Sequence, residues 1–236
     1  MLQSNKFTNN KSKFLVNLFI KILFFYFLGI FTYYILNIST SNNMYKMTNL
    51  AIFASGSGTN AENIIKYFRN NPKINVSLII TNNNNAYVIK RAENFNIPYF
   101  VFTKNDFKSG VVLNKMQEFN INFIVLAGFL LLIPENIINV FDNKILNIHP
   151  ALLPNYGGKG MYGMNVHNAV IKNMESESGI TIHYVNKNYD EGNIIFQAQC
   201  KISDTDSPED LANKIHKLEH KYFPEIIEKT IQKMSL

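Results

Sequence analysis

An amide and an imidazole stand two residues apart in Leu146-Asn147-Ile148-His149-Pro150, and a carboxylate, Asp190, follows in a later turn. Together they could serve one reacting carbonyl. The amide N–H would donate to developing negative charge, the imidazole would carry a proton, and the carboxylate would be its charge partner. Residues 144–148 read as a short buried strand, on which side chains two apart share a face. Leu146 and Ile148 therefore point one way, Asn147 and His149 the other. Pro150 biases His149 towards an extended backbone and ends the strand. The pair is expected at the carboxyl end of a strand, where open α/β sheets place their ligands. From these residues alone, a solvated polar pair at a strand end is an equal reading.

The surrounding segments alternate in period. Residues 49–54, 76–80, 98–102 and 123–126 are apolar runs of strand length, and 61–69, 86–95, 111–119 and 134–141 are helical, as at Ile64, Ile65 and Phe68. Strands alternating with helices predict a Rossmann-like α/β fold, a mostly parallel twisted sheet with flanking helices. After His149 the pattern changes. A Gly/Pro loop over 151–163 leads to a helix over 165–173, and 179–185 and 194–202 read as an antiparallel pair. Ser207-Pro208-Glu209-Asp210 starts a last helix that should reach Tyr222, with Pro224 bending or ending it.

Ser55-Gly56-Ser57-Gly58-Thr59-Asn60 joins the first strand to the first helix. Glycines there let backbone N–H groups approach an anion, and the helix N-terminus adds a favourable dipole. Steric needs alone also produce such turns. The third glycine of the dinucleotide fingerprint and the Lys-Ser/Thr of the P-loop are absent.

With 236 residues the chain can build one good-sized domain. Its formal charge of +6 misleads, because residues 1–47 hold five lysines and no acid, leaving 18 basic against 17 acidic residues in the remainder. A near-neutral domain with no basic stripe gives nucleic-acid binding little support. Cys200 stands alone in an apolar run, consistent with a reduced, intracellular thiol, and no Cys/His cluster has zinc-site spacing.

Residues 1–47 form a leader distinct from the domain over 48–236. Ile22 to Ile38 is uncharged and borderline in length for a membrane span, while a cleaved secretory signal lacks a small-residue cleavage site. A span over residues 14–38, with Lys6, Lys11 and Lys13 before it, would keep the N-terminus in the cytosol and put the domain on the far side. Of residues 1–47, 28 are Phe, Ile, Lys, Asn or Tyr, types with A/T-rich codons, and Met44 and Met47 stand just before the first strand. The expectation is that translation starts at one of these methionines and that the domain is cytoplasmic. Membrane anchorage through residues 14–38 is the alternative.

From Asn49 onward the chain resembles the phosphoribosylglycinamide formyltransferase family. The resemblance rests on Ala51–Asn60, Val125-Leu126-Ala127-Gly128-Phe129 and Asn147-Ile148-His149-Pro150-Ala151-Leu152-Leu153-Pro154. It continues through Tyr156-Gly157-Gly158-Lys159-Gly160, Gly179–Val185 and Asp190-Glu191-Gly192. It implies transfer of the formyl group of 10-formyltetrahydrofolate, a co-substrate, to the amine of 5-phosphoribosylglycinamide (GAR) in purine synthesis, without a metal. The same resemblance implies that Asn147, His149 and Asp190 are catalytic. Gly56, Ser57, Gly58, Thr59 and Asn60 would hold the phosphate and ribose of GAR, and Glu219 its glycyl amine. Lys108, Leu130, Leu131, Leu132 and Ile133, with Asn147, would hold the folate. Many relatives carry arginine where Leu131 stands, and leucine offers the folate no charge contact from that position.

The residues themselves leave alternatives open. Lys108 also reads as a solvated lysine, Glu219 as an exposed helical acid, and His183 as a structural histidine on a strand. A carboxylate near an imidazole favours its charged form, so Asp190 is expected to raise the pKa of His149 above about 6.5 and make it an imidazolium donor. Methionyl-tRNA formyltransferase shares the Asn-x-His-Pro core but carries a tRNA-binding extension. Formyltetrahydrofolate hydrolase carries an N-terminal regulatory domain. A membrane-tethered nucleotide-binding module would leave Asn147, His149 and Asp190 idle. The oligomeric state is not legible.

Overall fold

The computed structural model describes residues 23–33 and 47–234. The chain divides into two units, residues 1–46 and 47–236. In the first, residues 23–33 form a helix with exposed side chains. The candidate span over 14–38 lies largely outside the described residues, as does Met44. Among the described residues no helix is long and apolar enough to cross a membrane.

In the second unit β1 (Thr48–Phe53), β2 (Ile74–Thr81), β3 (Tyr99–Val101), β4 (Phe123–Leu126), β5 (Ile145–His149), β6 (Glu177–Tyr184) and β7 (Ile194–Lys201) form one sheet in the order β3-β2-β1-β4-β5-β6-β7. The first five strands run parallel, and β6 and β7 pair antiparallel. The helices are α1 (Thr59–Phe68), α2 (Val88–Asn94), α3 (Lys104–Ser109), α4 (Val111–Glu118), α5 (Glu135–Val140), α6 (Met164–Lys172) and α7 (Pro208–Met234). Alternation along the strands divides the core. Leu50, Ile52, Leu146 and Ile148 pack with Ile64, Val170 and Ile215 on one side; Phe53, Ile124, Leu126 and Ile145 pack with Met116 and Ile137 on the other. Burial on both faces explains why these strands read as unbroken apolar runs.

Two elements depart from expectation. Residues 104–109 form the short helix α3, started by a capping box in which Thr103 Oγ1 accepts from Asp106 N and Thr103 N donates to the Asp106 carboxylate. Six residues are too few to carry a periodic signal. The last helix, in turn, does not stop near Tyr222 but runs to Met234 with Pro224 inside it. Proline cannot donate to the carbonyl four residues back, here His220. Asn63 Nδ2, from α1, donates to that carbonyl instead at 2.8 Å, so the helix continues without a bare acceptor.

The strand order reverses direction at β1, which has β2 on one side and β4 on the other. Ligands in open α/β sheets bind beyond the strand ends at such a switch point. There the chain places the turn after β1, the segment after β4 and the end of β5.

Candidate active site

These three segments, the loop over 158–163, the turn at 188–190 and the inner face of α7 line one cavity of about 660 Å³. Asn147, at the end of β5, pairs across the sheet with His183, and His149 with Thr181. The residues after His149 are held down by β6 and β7. Thr181 Oγ1 donates to the Ala151 carbonyl at 2.7 Å and accepts from Leu153 N at 3.0 Å, while Gln197 Nε2 donates to the Leu153 carbonyl at 3.1 Å.

The three expected catalytic groups converge. His149 Nδ1 lies 3.5 Å from Asp190 Oδ2, and Asn147 Nδ2 lies 3.4 Å from Asp190 Oδ1. Asp190 sits at φ 57, in the left-handed region, and Gly158 N donates to its Oδ2 at 2.9 Å. Burial pushes its carboxyl up, but the neighbouring His183 and His149 side chains and the Gly158 N–H together hold it below the usual carboxylate range.

His149 corrects an expectation. Its side chain is buried, and burial, with nearby His183, lowers its pKa more than Asp190 and the Tyr156 carbonyl raise it, so the net direction is down. The carboxylate acts in the expected sense and loses to desolvation. At neutral pH the resting imidazole is therefore neutral. Its proton is on Nε2, because Nε2 lies 2.7 Å from the Tyr156 carbonyl, which can only accept. Nδ1 is left bare towards Asp190.

His183 is part of this network, which its strand pattern alone did not reveal. Its Nδ1 lies 2.7 Å from the Tyr184 carbonyl and so carries the proton, leaving Nε2 to accept from Asn147 Nδ2 at 3.0 Å. The signal was in the register: Asn147 and His183 oppose each other on neighbouring strands.

Gly56, Ser57, Gly58, Thr59 and Asn60 all line the cavity. The start of α1 has no side-chain cap, and among the described residues the N–H groups of Ser57 and Gly58 donate to nothing. Glu219 is 6% exposed rather than solvated; it accepts from Asn60 Nδ2 at 2.9 Å, and burial pushes its carboxyl up. His216, one turn earlier on α7, lies 4.0 Å from the same carboxylate, and His167 of α6 also lines the cavity. Burial, then His216 and His149, lower the pKa of His167 to about 4. Neither histidine was singled out from the sequence, although the three-residue spacing of His216 and Glu219 marks a shared helix face.

The segment after β4 is also in place. Leu130, Leu131, Leu132 and Ile133 line the cavity, and Leu130 N donates to Ser55 Oγ at 3.2 Å. Leu130 and Leu132 are exposed, whereas Ile133 belongs mainly to the core. Lys108 is not brought to the site. It is exposed in the last turn of α3 and lies outside the cavity lining.

The formyl transferase family model matches residues 48–227. Phosphoribosylglycinamide formyltransferase of Bacillus subtilis is 34% identical over 191 residues, covering 78% of this chain and 95% of that protein. The chain belongs to the phosphoribosylglycinamide formyltransferase family. The chloroplastic phosphoribosylglycinamide formyltransferase of Arabidopsis thaliana is 37% identical over 75% of this chain, which spans 63% of that longer relative. The crystal structure of phosphoribosylglycinamide formyltransferase from Bacillus halodurans superposes with a TM-score of 0.72 at 33% identity, covering 79% of this chain and 97% of that one. The superposition shows that the α/β formyltransferase fold, with its mostly parallel sheet and antiparallel final strands, is the one this sequence adopts.

Proposed function

We propose that the protein transfers the formyl group of 10-formyltetrahydrofolate to the primary amine of GAR, giving formyl-GAR and tetrahydrofolate. The observation that carries this reading is the convergence of Asn147, His149 and Asp190 on one cavity. That cavity is also lined by an open glycine turn and by the Leu130–Ile133 segment. The turn supplies backbone donors for a phosphate, and Asn60 with Glu219 faces the remainder of GAR, where Glu219 receives the amine. Leu130 and Leu132 offer apolar surface for a flat pterin beside the backbone groups of Leu131. We place the domain in the cytoplasm, where reduced folate and GAR meet.

The amine lone pair adds to the formyl carbon, and the carbonyl π pair moves onto oxygen. Asn147 keeps one amide proton on His183 and has the other, held loosely at 3.4 Å from Asp190, to offer this oxyanion. Neutral His149 takes the proton the attacking nitrogen must lose. Once formed, its imidazolium has an acceptor at each nitrogen, Asp190 at Nδ1 and the Tyr156 carbonyl at Nε2. The proton then passes to the folate nitrogen as the carbon–nitrogen bond to it breaks. His149 thus acts first as base and then as acid, whereas an imidazolium at rest could only donate.

The test is incubation of the protein with 10-formyltetrahydrofolate and, in turn, GAR, methionyl-tRNA or buffer alone. Formyl-GAR only from the first supports the reading. Formyl-methionyl-tRNA, or tetrahydrofolate released without an acceptor, points instead to tRNA formylation or to hydrolysis.

A further inference from the structure

The glycine turn is gripped from behind by α2. Val88 N donates to the Gly56 carbonyl at 3.2 Å, and Arg91 Nε donates to the Ser57 carbonyl at 2.8 Å. A planar trans peptide points its C=O and its N–H in opposite directions. Drawing these two carbonyls towards α2 therefore turns the N–H groups of Ser57 and Gly58 away from it, and the two donors have no partner among the described residues. Turn and helix are in close approach: Gly58 sits at φ 73, and a Cβ on it would lie 2.5 Å from Val88 Cγ2.

Arg91 does more than donate one hydrogen bond. Its guanidinium pairs with Glu62, in the first turn of α1, and lies 4.9 Å from the centroid of the Tyr87 ring. A bare Glu62 carboxylate so near the start of α1 would repel an anion seated there. Arg91 on one carboxylate oxygen, with Lys66 Nζ 2.5 Å from the other, offsets that charge, and Arg91 does not itself line the cavity.

We propose that Arg91 is a positioning residue for the phosphate of the substrate. Its Nε–H locks the Ser57–Gly58 peptide with the N–H towards the anion, and its charge joins that of Lys66 in offsetting Glu62, without contact to the ligand. The inference rests on the phosphate reading of the glycine turn given above.

Steady-state kinetics of the full chain with GAR and with its phosphate-free analogue, glycinamide riboside, test both. The wild type is expected to show a KM for GAR at least about a hundredfold below that for the riboside. Arg91→Met should raise the KM for GAR about tenfold. It should leave kcat within about twofold and leave the KM values for the riboside and for formyl-folate unchanged. Arg91→Lys keeps the charge but cannot hold the Ser57 carbonyl and Glu62 together, so it should fall between the two. It carries the test if Arg91→Met does not fold. A wild type that discriminates, with variants that keep its GAR-to-riboside ratio, overturns the role of Arg91 and leaves the phosphate reading standing. Parallel loss of kcat and of both acceptors reduces Arg91 to a structural residue, which also overturns it. A wild type indifferent to the phosphate removes the phosphate reading and the inference with it.

Discussion

Asn147 Nδ2 lies 3.0 Å from His183 Nε2, and the 2.7 Å contact of His183 Nδ1 with the Tyr184 carbonyl fixes which histidine nitrogen is the acceptor. That relationship sets the orientation of the carboxamide. Were the Asn147 oxygen turned towards His183, it would meet a bare nitrogen, so the amide cannot flip without losing its partner. His183→Leu should therefore cost about tenfold in kcat with little change in either KM, and His183→Gln, whose side-chain oxygen can still accept, should cost less. Equal losses in the two variants would show that the acceptor is irrelevant.

Asn147→Ala removes the proposed oxyanion donor. Turnover should fall on the order of 10²–10³ while GAR and folate still bind. Near-normal kcat would take Asn147 out of that role.

Asp190 is expected to set the acid limb of the pH–rate profile through its contact with His149. His149 is already below its ordinary pKa because of burial, and Asp190 partly restores it. Removing the carboxylate in Asp190→Asn lowers the imidazole pKa further, so the limb on which a neutral base is lost should move to lower pH. Turnover should drop as well, since the imidazolium formed in the reaction loses its charge partner. Comparing the variant with the wild type on the same substrate cancels the ionisation of the amine. A limb that stays in place contradicts the pairing.

His167 links the cavity to stability. Its folded-state pKa, about 4, lies below its unfolded value near 6.5. The unfolded chain binds this proton first as pH falls, so the contribution is full above pH about 6.5 and is lost progressively towards pH about 4. His167→Asn should flatten the fall of Tm over that window; an unaltered slope would assign the acid lability to other groups.

Much of this was legible in the sequence, and the reasons differ by residue. The parallel strands announced themselves because burial on both faces leaves unbroken apolar runs, and the split between Leu146/Ile148 and Asn147/His149 followed from the two-residue period. The sign of the His149 shift was not legible, because desolvation depends on what covers the ring and a neighbouring carboxylate is only one contribution. Lys108 was misplaced because the capping box at Thr103 builds a short helix that leaves it exposed outside the cavity. The passage of α7 through Pro224 needed Asn63, a residue 161 positions earlier in the chain, to satisfy the His220 carbonyl.

That arrangement can be checked by a double-mutant cycle. Asn63→Ala should cost about 1 kcal/mol in the presence of Pro224 and much less in a Pro224→Ala background, where the proline's place is taken by a residue with its own N–H. Equal costs in both backgrounds would deny the coupling.

The most direct measurement is formyl-GAR formed per tetrahydrofolate released, with its rate, for the wild type and for His149→Ala. The expected result is one formyl-GAR for each tetrahydrofolate in the wild type, and a fall in kcat on the order of 10²–10⁴ in the variant with the KM for GAR retained. Tetrahydrofolate without formyl-GAR, or a variant that turns over near the wild-type rate, would contradict a transfer carried by the buried imidazole.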